Sequence, residues 1–355
     1  PYRRYAGTFL DNIQTEHTRT YLKYLVEPAD NLTLQVAAYY NEFERDWYKI
    51  NKAGGQSVSK VVADPITYAA AFDDLRLLGT GSLGIKHNSR AYESKGVQFN
   101  FDYDTTIAGT EHNITGGARF HTDSIRRFQQ QDTIDLSNGA PVVVEGAPGS
   151  GGNRWQEADS FAVWIEDNID LGALTLSPGI RYEQIDGDWT DYASDATNTV
   201  SKSATGDIDA VVPGIGMTYA LSDSTNAFGG VYKGISTPSP RGFLKSGTRI
   251  EESIGYELGV RTQKDGSATE IAAFLTDFDE LTGSNAGLGG LAFDSMLDGT
   301  NAGEAEVKGI EFLQAWTANA DSSVAIPLFI SATYTDATLT EALSEGGEGD
   351  ILAAD

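Results

Sequence analysis

The chain has 355 residues, a net charge of −26, 39 glycines and no cysteine. The missing cysteines exclude disulfides and thiolate metal centres, and the acidity argues against nucleic acid, which is bound through basic patches. With 40% hydrophobic residues the chain can order itself despite its charge, but no run reaches the ~18 apolar residues of a membrane helix.

Along the chain the apolar residues recur with period two, the signature of strands with one buried and one polar face. The first clear segment, "NLTLQVAAYYNEF", places Leu32, Leu34, Val36, Ala38 and Tyr40 together. "KGVQFNFDYD" follows with Val97, Phe99, Phe101 and Tyr103 alternating with Gln98, Asn100, Asp102 and Asp104. "EESIGYELGVRTQ" repeats the pattern with Ile254, Tyr256, Leu258 and Val260. Short turn phrases occupy 27–31, 108–113, 170–173, 221–226, 264–267 and 319–323. Longer irregular stretches lie at roughly 51–90, 137–153, 187–204, 241–249, 286–304 and 340–355.

Short and long connections therefore alternate, and about twelve strands in six up-and-down hairpins are expected. Several are longer than the strands of soluble sandwiches. The expected fold is all-β, a transmembrane antiparallel up-and-down β-barrel, because a closed barrel satisfies its backbone in lipid without a free edge. Short turns then face the periplasm and long loops the exterior of a Gram-negative outer membrane. Trp316 and Trp47 are expected in aromatic girdles at the two ends of the apolar band.

The phrase "YESKGVQF" from Tyr92 returns as "EAEVKGIEF" from Glu304, each copy after a long connection. Parity puts Lys95 and Lys308 on the lipid face and Gly96 and Gly309 in the lumen. A lysine just above the apolar band can reach lipid phosphates while its stem stays in hydrocarbon. Lys95 and Lys308 are thus candidate lipopolysaccharide contacts, with Glu93 and Glu306 as neighbours for divalent cations; a snorkelling lysine without a specific partner is the plainer alternative.

"ESKGVQF" and "EVKGIEF" resemble a phrase recurrent where strands begin in TonB-dependent outer-membrane receptors. The stretches "YYNEFERDWYKIN" (39–51) and "PGIGMTYALSDSTNAFGGVYKGISTPSPRG" (213–242) are similar to the ferric dicitrate receptor branch of that family. The resemblance implies a 22-stranded barrel around an N-terminal plug, with a TonB-binding segment before the plug. The expectation is that 1–355 forms part of such a barrel, with plug and C-terminal strands lying outside it. It also implies a receptor and transporter for a ferric chelate, with ferric dicitrate as the cargo, and no enzymatic activity or resident cofactor. Another siderophore, haem or an oligosaccharide are alternative cargoes.

An anionic chelate calls for guanidinium forks, which match carboxylates. The candidate substrate-binding cations are Arg126, Arg127, Arg45, Lys49, Arg241, Arg3 and Arg4; for each, a solvated loop charge or a pair with one of the abundant acidic residues is the plainer reading. Other chemistries have weaker support. His17, His87, His112 and His121 lack metal-ligand spacing, and His112 falls in a predicted turn. The stretch "DFDELTGSN" (277–285) lacks the spacing of a calcium hand. A porin or an outer-membrane phospholipase are the rival classes; for the latter His121 with Ser124 is the nearest serine–histidine pair.

Overall fold

The computed structural model describes residues 10–195, 197–238, 249–264, 266–281, 303–318 and 324–340. The strands are β1 (Asn12–Ala29), β2 (Leu32–Ala53), β3 (Gln56–Ser57), β4 (Ser82–His87), β5 (Arg90–Ile107), β6 (Thr110–Asp135), β7 (Val142–Val144) and β8 (Gly152–Asp170). They continue with β9 (Leu174–Tyr192), β10 (Val200–Ser222), β11 (Thr225–Ser236), β12 (Glu251–Lys264), β13 (Ser267–Asp279), β14 (Ala305–Ala318) and β15 (Ile326–Leu339). Two short helices, α1 (Val58–Ala63) and α2 (Ala69–Leu75), lie between β3 and β4. No described helix is long and apolar enough to cross a membrane.

All strands join one antiparallel sheet in which sequence neighbours are spatial neighbours, from β1 at one edge to β15 at the other. β4 and β5 act as two tiers of one position between β2 and β6, so the sheet has twelve positions. The tight hairpin at β5–β6 shows why the short turns work. Ala108 (φ 52°) and Gly109 (φ 89°) both adopt left-handed backbone, whose twist matches that of the paired strands.

Register fixes the two faces. Val36 pairs with Phe99, Phe99 with Ala118, and Ala118 with Val163. The row continues through Tyr182 to Val211. In the second half, Val231, Tyr256 and Leu275 form a similar row. Many of these side chains are exposed although apolar, among them Val97, Phe120, Ile165, Val211, Leu258 and Ile310. The opposite face carries Gln98, Arg119, Glu183, Arg181 and Glu257. A face this apolar and this exposed is matched to hydrocarbon rather than water.

Buried packing concentrates instead beyond one end of the apolar band. There the extensions of β2, β4 and β6 join α1 and α2 around Ala53, Val61, Ala71, Leu83, Ile85, Ile134 and Leu136. Ser57 caps α1, its hydroxyl accepting from the Lys60 amide. Asp74 folds the return to β4 by accepting from the Gly81 amide at 2.9 Å, close enough that a Cβ on Gly79 or Gly81 would collide with its carboxylate.

The structure departs from the sequence reading at several places. The stretch 51–90, read as irregular, contains β3, β4 and both helices. The connection expected at 187–204 is only 193–199, because β9 and β10 extend towards each other. His112 lies within β6, not in the turn, with Nδ1 2.7 Å from Asp167 Oδ2. Trp47 is paired with Ile13 on the polar face, with the Lys49 ammonium 3.5 Å from its ring, so it belongs to no lipid-facing girdle. Trp316 does share the apolar face with Phe312 and Ile310. The turn at 319–323 and the stretch 341–355 lie outside the described residues.

Candidate anion-binding site

The polar face carries its most unusual feature where β2, β5, β6 and β8 run beyond the apolar band. Arg45 pairs with Arg90, Arg90 with Arg127, and Arg127 with Arg154. Four guanidinium side chains from four adjacent strand positions therefore lie in one row. Paired residues of an antiparallel sheet point to the same side, about 4.8 Å apart strand to strand. Lys49 and Lys86, paired with each other, extend the positive patch two levels further out, past Trp47. Burial, followed by the charges of Arg90, Arg127, Lys49 and Lys52, holds the Lys86 ammonium below its ordinary value.

What holds these charges together is mostly not counter-charge. Among the described residues, Arg45, Arg90 and Arg127 have no carboxylate partner. Arg90 donates through Nε to Asn88 Oδ1 at 3.3 Å and through Nη1 to the Tyr92 hydroxyl at 3.1 Å. Arg45 lies over the Tyr92 ring, 5.8 Å from its centroid. Nε of Arg45 and Nε of Arg127 are buried donors without a hydrogen-bond partner, as is Nε1 of Trp189 one level below. Unmet buried donors cost about 1–3 kcal/mol each. Burial, and after it the charges of Arg90, Arg154 and Arg45, hold the Arg127 guanidinium below its ordinary value. A row of guanidinium donors without carboxylate partners among the described residues has the chemistry to hold an anion with several oxygen acceptors.

At the end of the row Arg154 differs from its neighbours. Its Nε lies 2.7 Å from Asp191 Oδ1, and its guanidinium stacks 5.1 Å over the Trp189 ring. Asn153 donates to the carbonyls of Ala193 and Asp195, tying the 193–199 connection to β8.

Of the cations expected from sequence, the structure brings Arg45, Lys49 and Arg127 into this patch. Arg126 is excluded by alternation: it emerges on the apolar side of β6. There it donates to the carbonyls of Arg127 (3.0 Å) and Arg154 (2.9 Å) and packs on Phe128 and Tyr192. Arg3, Arg4 and Arg241 lie outside the described residues. Arg90, Lys86 and Arg154 were missed, the first two because they fall in the stretch read as a loop. His121 and Ser124 are on opposite faces, and His121 is engaged by Tyr39 Oη at 2.6 Å and by Asp123, so no hydrolytic pair forms. No described cluster of histidine and carboxylate side chains has metal-binding geometry; 277–285 lies only partly within the described residues.

The profile of the family described as "TonB dependent receptor-like, beta-barrel" matches residues 1–352. The chain belongs to this family. Among solved structures, the ferric citrate transporter FecA in its unliganded form superimposes with a TM-score of 0.70 at 17% identity. The alignment covers 93% of this chain and 44% of FecA. The siderophore receptor PiuA from Acinetobacter baumannii gives 0.67 at 14% identity, covering 96% and 49%. The ferric-catecholate import receptor Fiu from K12 E. coli, in its closed form, gives 0.67 at 14%, covering 95% and 49%. The chain thus spans about half the length of the structures it matches. TonB-dependent receptors are Gram-negative outer-membrane transport proteins and not enzymes. In this TonB-dependent receptor barrel wall, the apolar face is the lipid side and the polar face the lumen.

The two lysines of the repeated phrase stand on the lipid side as expected. Lys95 pairs with Tyr40 and Thr122, and Lys308 with Leu275 and Asp336. Each ammonium is 2.6 Å from the glutamate two residues before it, Glu93 and Glu306. The glycines that follow face the lumen and make room for an aromatic ring from the preceding position. A Cβ on Gly96 would come within 2.5 Å of the Tyr39 hydroxyl, and one on Gly309 within 2.6 Å of the Phe274 ring.

Proposed function

We propose that the protein is an outer-membrane receptor that captures an anionic ferric chelate at its outer face and passes it inward through the barrel. In this reading the energy comes from TonB, acting on a segment beyond this chain, and the cargo is ferric dicitrate. The observation that carries it is the arginine row: three guanidinium groups without a carboxylate partner among the described residues, in a chain whose net charge is −26. A citrate complex presents carboxylates to several sides at once, and charge-assisted forks bind these most strongly. The similarity to a ferric citrate transporter supports the choice of cargo. Lys95 and Lys308 serve the same protein differently, reaching lipopolysaccharide phosphates at the outer rim of the lipid face.

The test is a titration of the full-length protein with ferric dicitrate, against iron-free citrate and a ferric catecholate. Selective binding of ferric dicitrate supports the reading. Binding of the catecholate alone, of haem, or of an oligosaccharide would retain the receptor and discard citrate. Passive permeation with no saturable binding would replace the receptor by a porin.

A further inference from the structure

We infer that Asp191 sets the width of the anion site by withdrawing Arg154 from it, an inference that rests on the row being anion-binding. The register continues past Arg154: Asp191 pairs with Arg154 on β8 and with Lys202 on β10. The carboxylate therefore stands between two cations, with the four arginines on one side and Lys202 on the other, and it engages the nearest arginine. Its grip on Arg154 uses both oxygens, Nε to Oδ1 at 2.7 Å and Nη2 to Oδ2 at 3.5 Å. Beneath the fork lies Trp189, almost wholly buried at 1% exposure, so the guanidinium rests on a fixed platform.

The remaining three arginines span two inter-strand steps, about 10 Å; a fourth would lengthen the row to about 14 Å. A compact chelate fits the shorter row. A longer polyanion would need Arg154 and would meet the Asp191 carboxylate instead, a repulsive element that rejects the wrong ligand rather than attracting the right one. Asp191 is on this account a specificity residue that acts through Arg154 and its own charge.

The experiment uses the full-length receptor, isothermal titration, and two probes: ferric dicitrate and the longer, more highly charged linear hexapolyphosphate. Neutralising the carboxylate in Asp191→Asn releases a fork for charge-assisted bonding. Hexapolyphosphate affinity should then rise by about tenfold or more, with a steeper salt dependence, and by more than the affinity for ferric dicitrate changes. Asp191→Ser should act in the same direction, which covers the event that one variant folds poorly. Adding Arg154→Gln to Asp191→Asn should remove most of the gain, a result that a merely structural role for Asp191 would not produce. An unchanged or weakened hexapolyphosphate affinity in folded Asp191→Asn and Asp191→Ser would overturn the inference, as would a gain that survives Arg154→Gln undiminished or an equal gain for ferric dicitrate. If wild type ignores ferric dicitrate while Asp191→Asn still gains hexapolyphosphate through Arg154, the cargo assignment fails and the role of Asp191 stands.

Discussion

The two copies of the repeated phrase are built alike but continue differently. In both, a lysine on the lipid side pairs with a glutamate two residues earlier, and a glycine on the lumenal side lies under an aromatic ring from the neighbouring strand. Above the first copy the strands go on: β6 runs from Thr122 to Asp135 and β2 from Tyr40 to Ala53, carrying the arginine row and the buried cluster around Leu83. Above the second they stop: β13 ends at Asp279 soon after Leu275, and β15 at Leu339 soon after Asp336. The phrase thus accompanies the same apolar-face and polar-face arrangement in both places, and the proposed anion site lies on the extensions beyond the first copy.

The largest expected effect tests the shared part. Gly96→Val and Gly309→Val should each destabilise the barrel by about 2–3 kcal/mol, since overpacking here meets backbone oxygens as well as rings. Urea unfolding in lipid measures this, and a loss at only one position would end the equivalence of the two copies. The next concerns what only the first copy supports. Arg127→Gln should weaken ferric dicitrate binding by roughly 10- to 100-fold, the worth of charge-assisted bonds. Arg126→Gln should change it by less than about threefold, because its contacts are to carbonyls on the other face. Equal losses would mean that the strand's alternation does not govern the site.

A smaller effect follows from Lys86. Its ammonium is held below the ordinary lysine value by burial and by neighbouring cations. A bound anion offsets that repulsion and raises the value again. Binding is therefore coupled to proton uptake in the window between the depressed free value and the higher bound one. Affinity should be flat at lower pH and fall as pH rises through that window; Lys86→Met should abolish the fall. The smallest effect belongs to the lipid side. Lys95→Met and Lys308→Met should each leave stability little changed, as solvent-screened ion pairs do. Both should reduce the lipid phosphorus that co-purifies, and an unchanged amount would leave simple snorkelling.

The barrel was legible because its signal is local. Ile254, Tyr256, Leu258 and Val260 announce a strand without reference to anything distant. The row was only partly legible, because it depends on register between strands. Nothing near Arg90 or Arg154 says that each will pair with an arginine, and Arg90 and Lys86 lay inside what looked like a loop. The sidedness of Arg126 and Arg127 is a different case. Counting by twos from Phe120, which points to lipid, already assigns Arg127 to the lumen with Arg119 and Arg126 to the outside. The signal was present and adjacency in sequence obscured it.

That adjacency has an evolutionary consequence. β6 pairs without a register break from Thr110 to Gln129. One residue inserted between Phe120 and Arg126 would turn Arg127 outwards and move Arg126 into the position paired with Arg90, reversing the face of every side chain between the insertion and the strand's end. Two residues would restore the side but shift the level. Deletions and insertions in this strand are therefore filtered by parity, whereas the turn at 137–141, before β7 rejoins β6, pairs with no strand and tolerates a change of length more readily. Divergence among descendants of this barrel should accumulate as length variation in the exterior loops and as almost none along the upper half of β6.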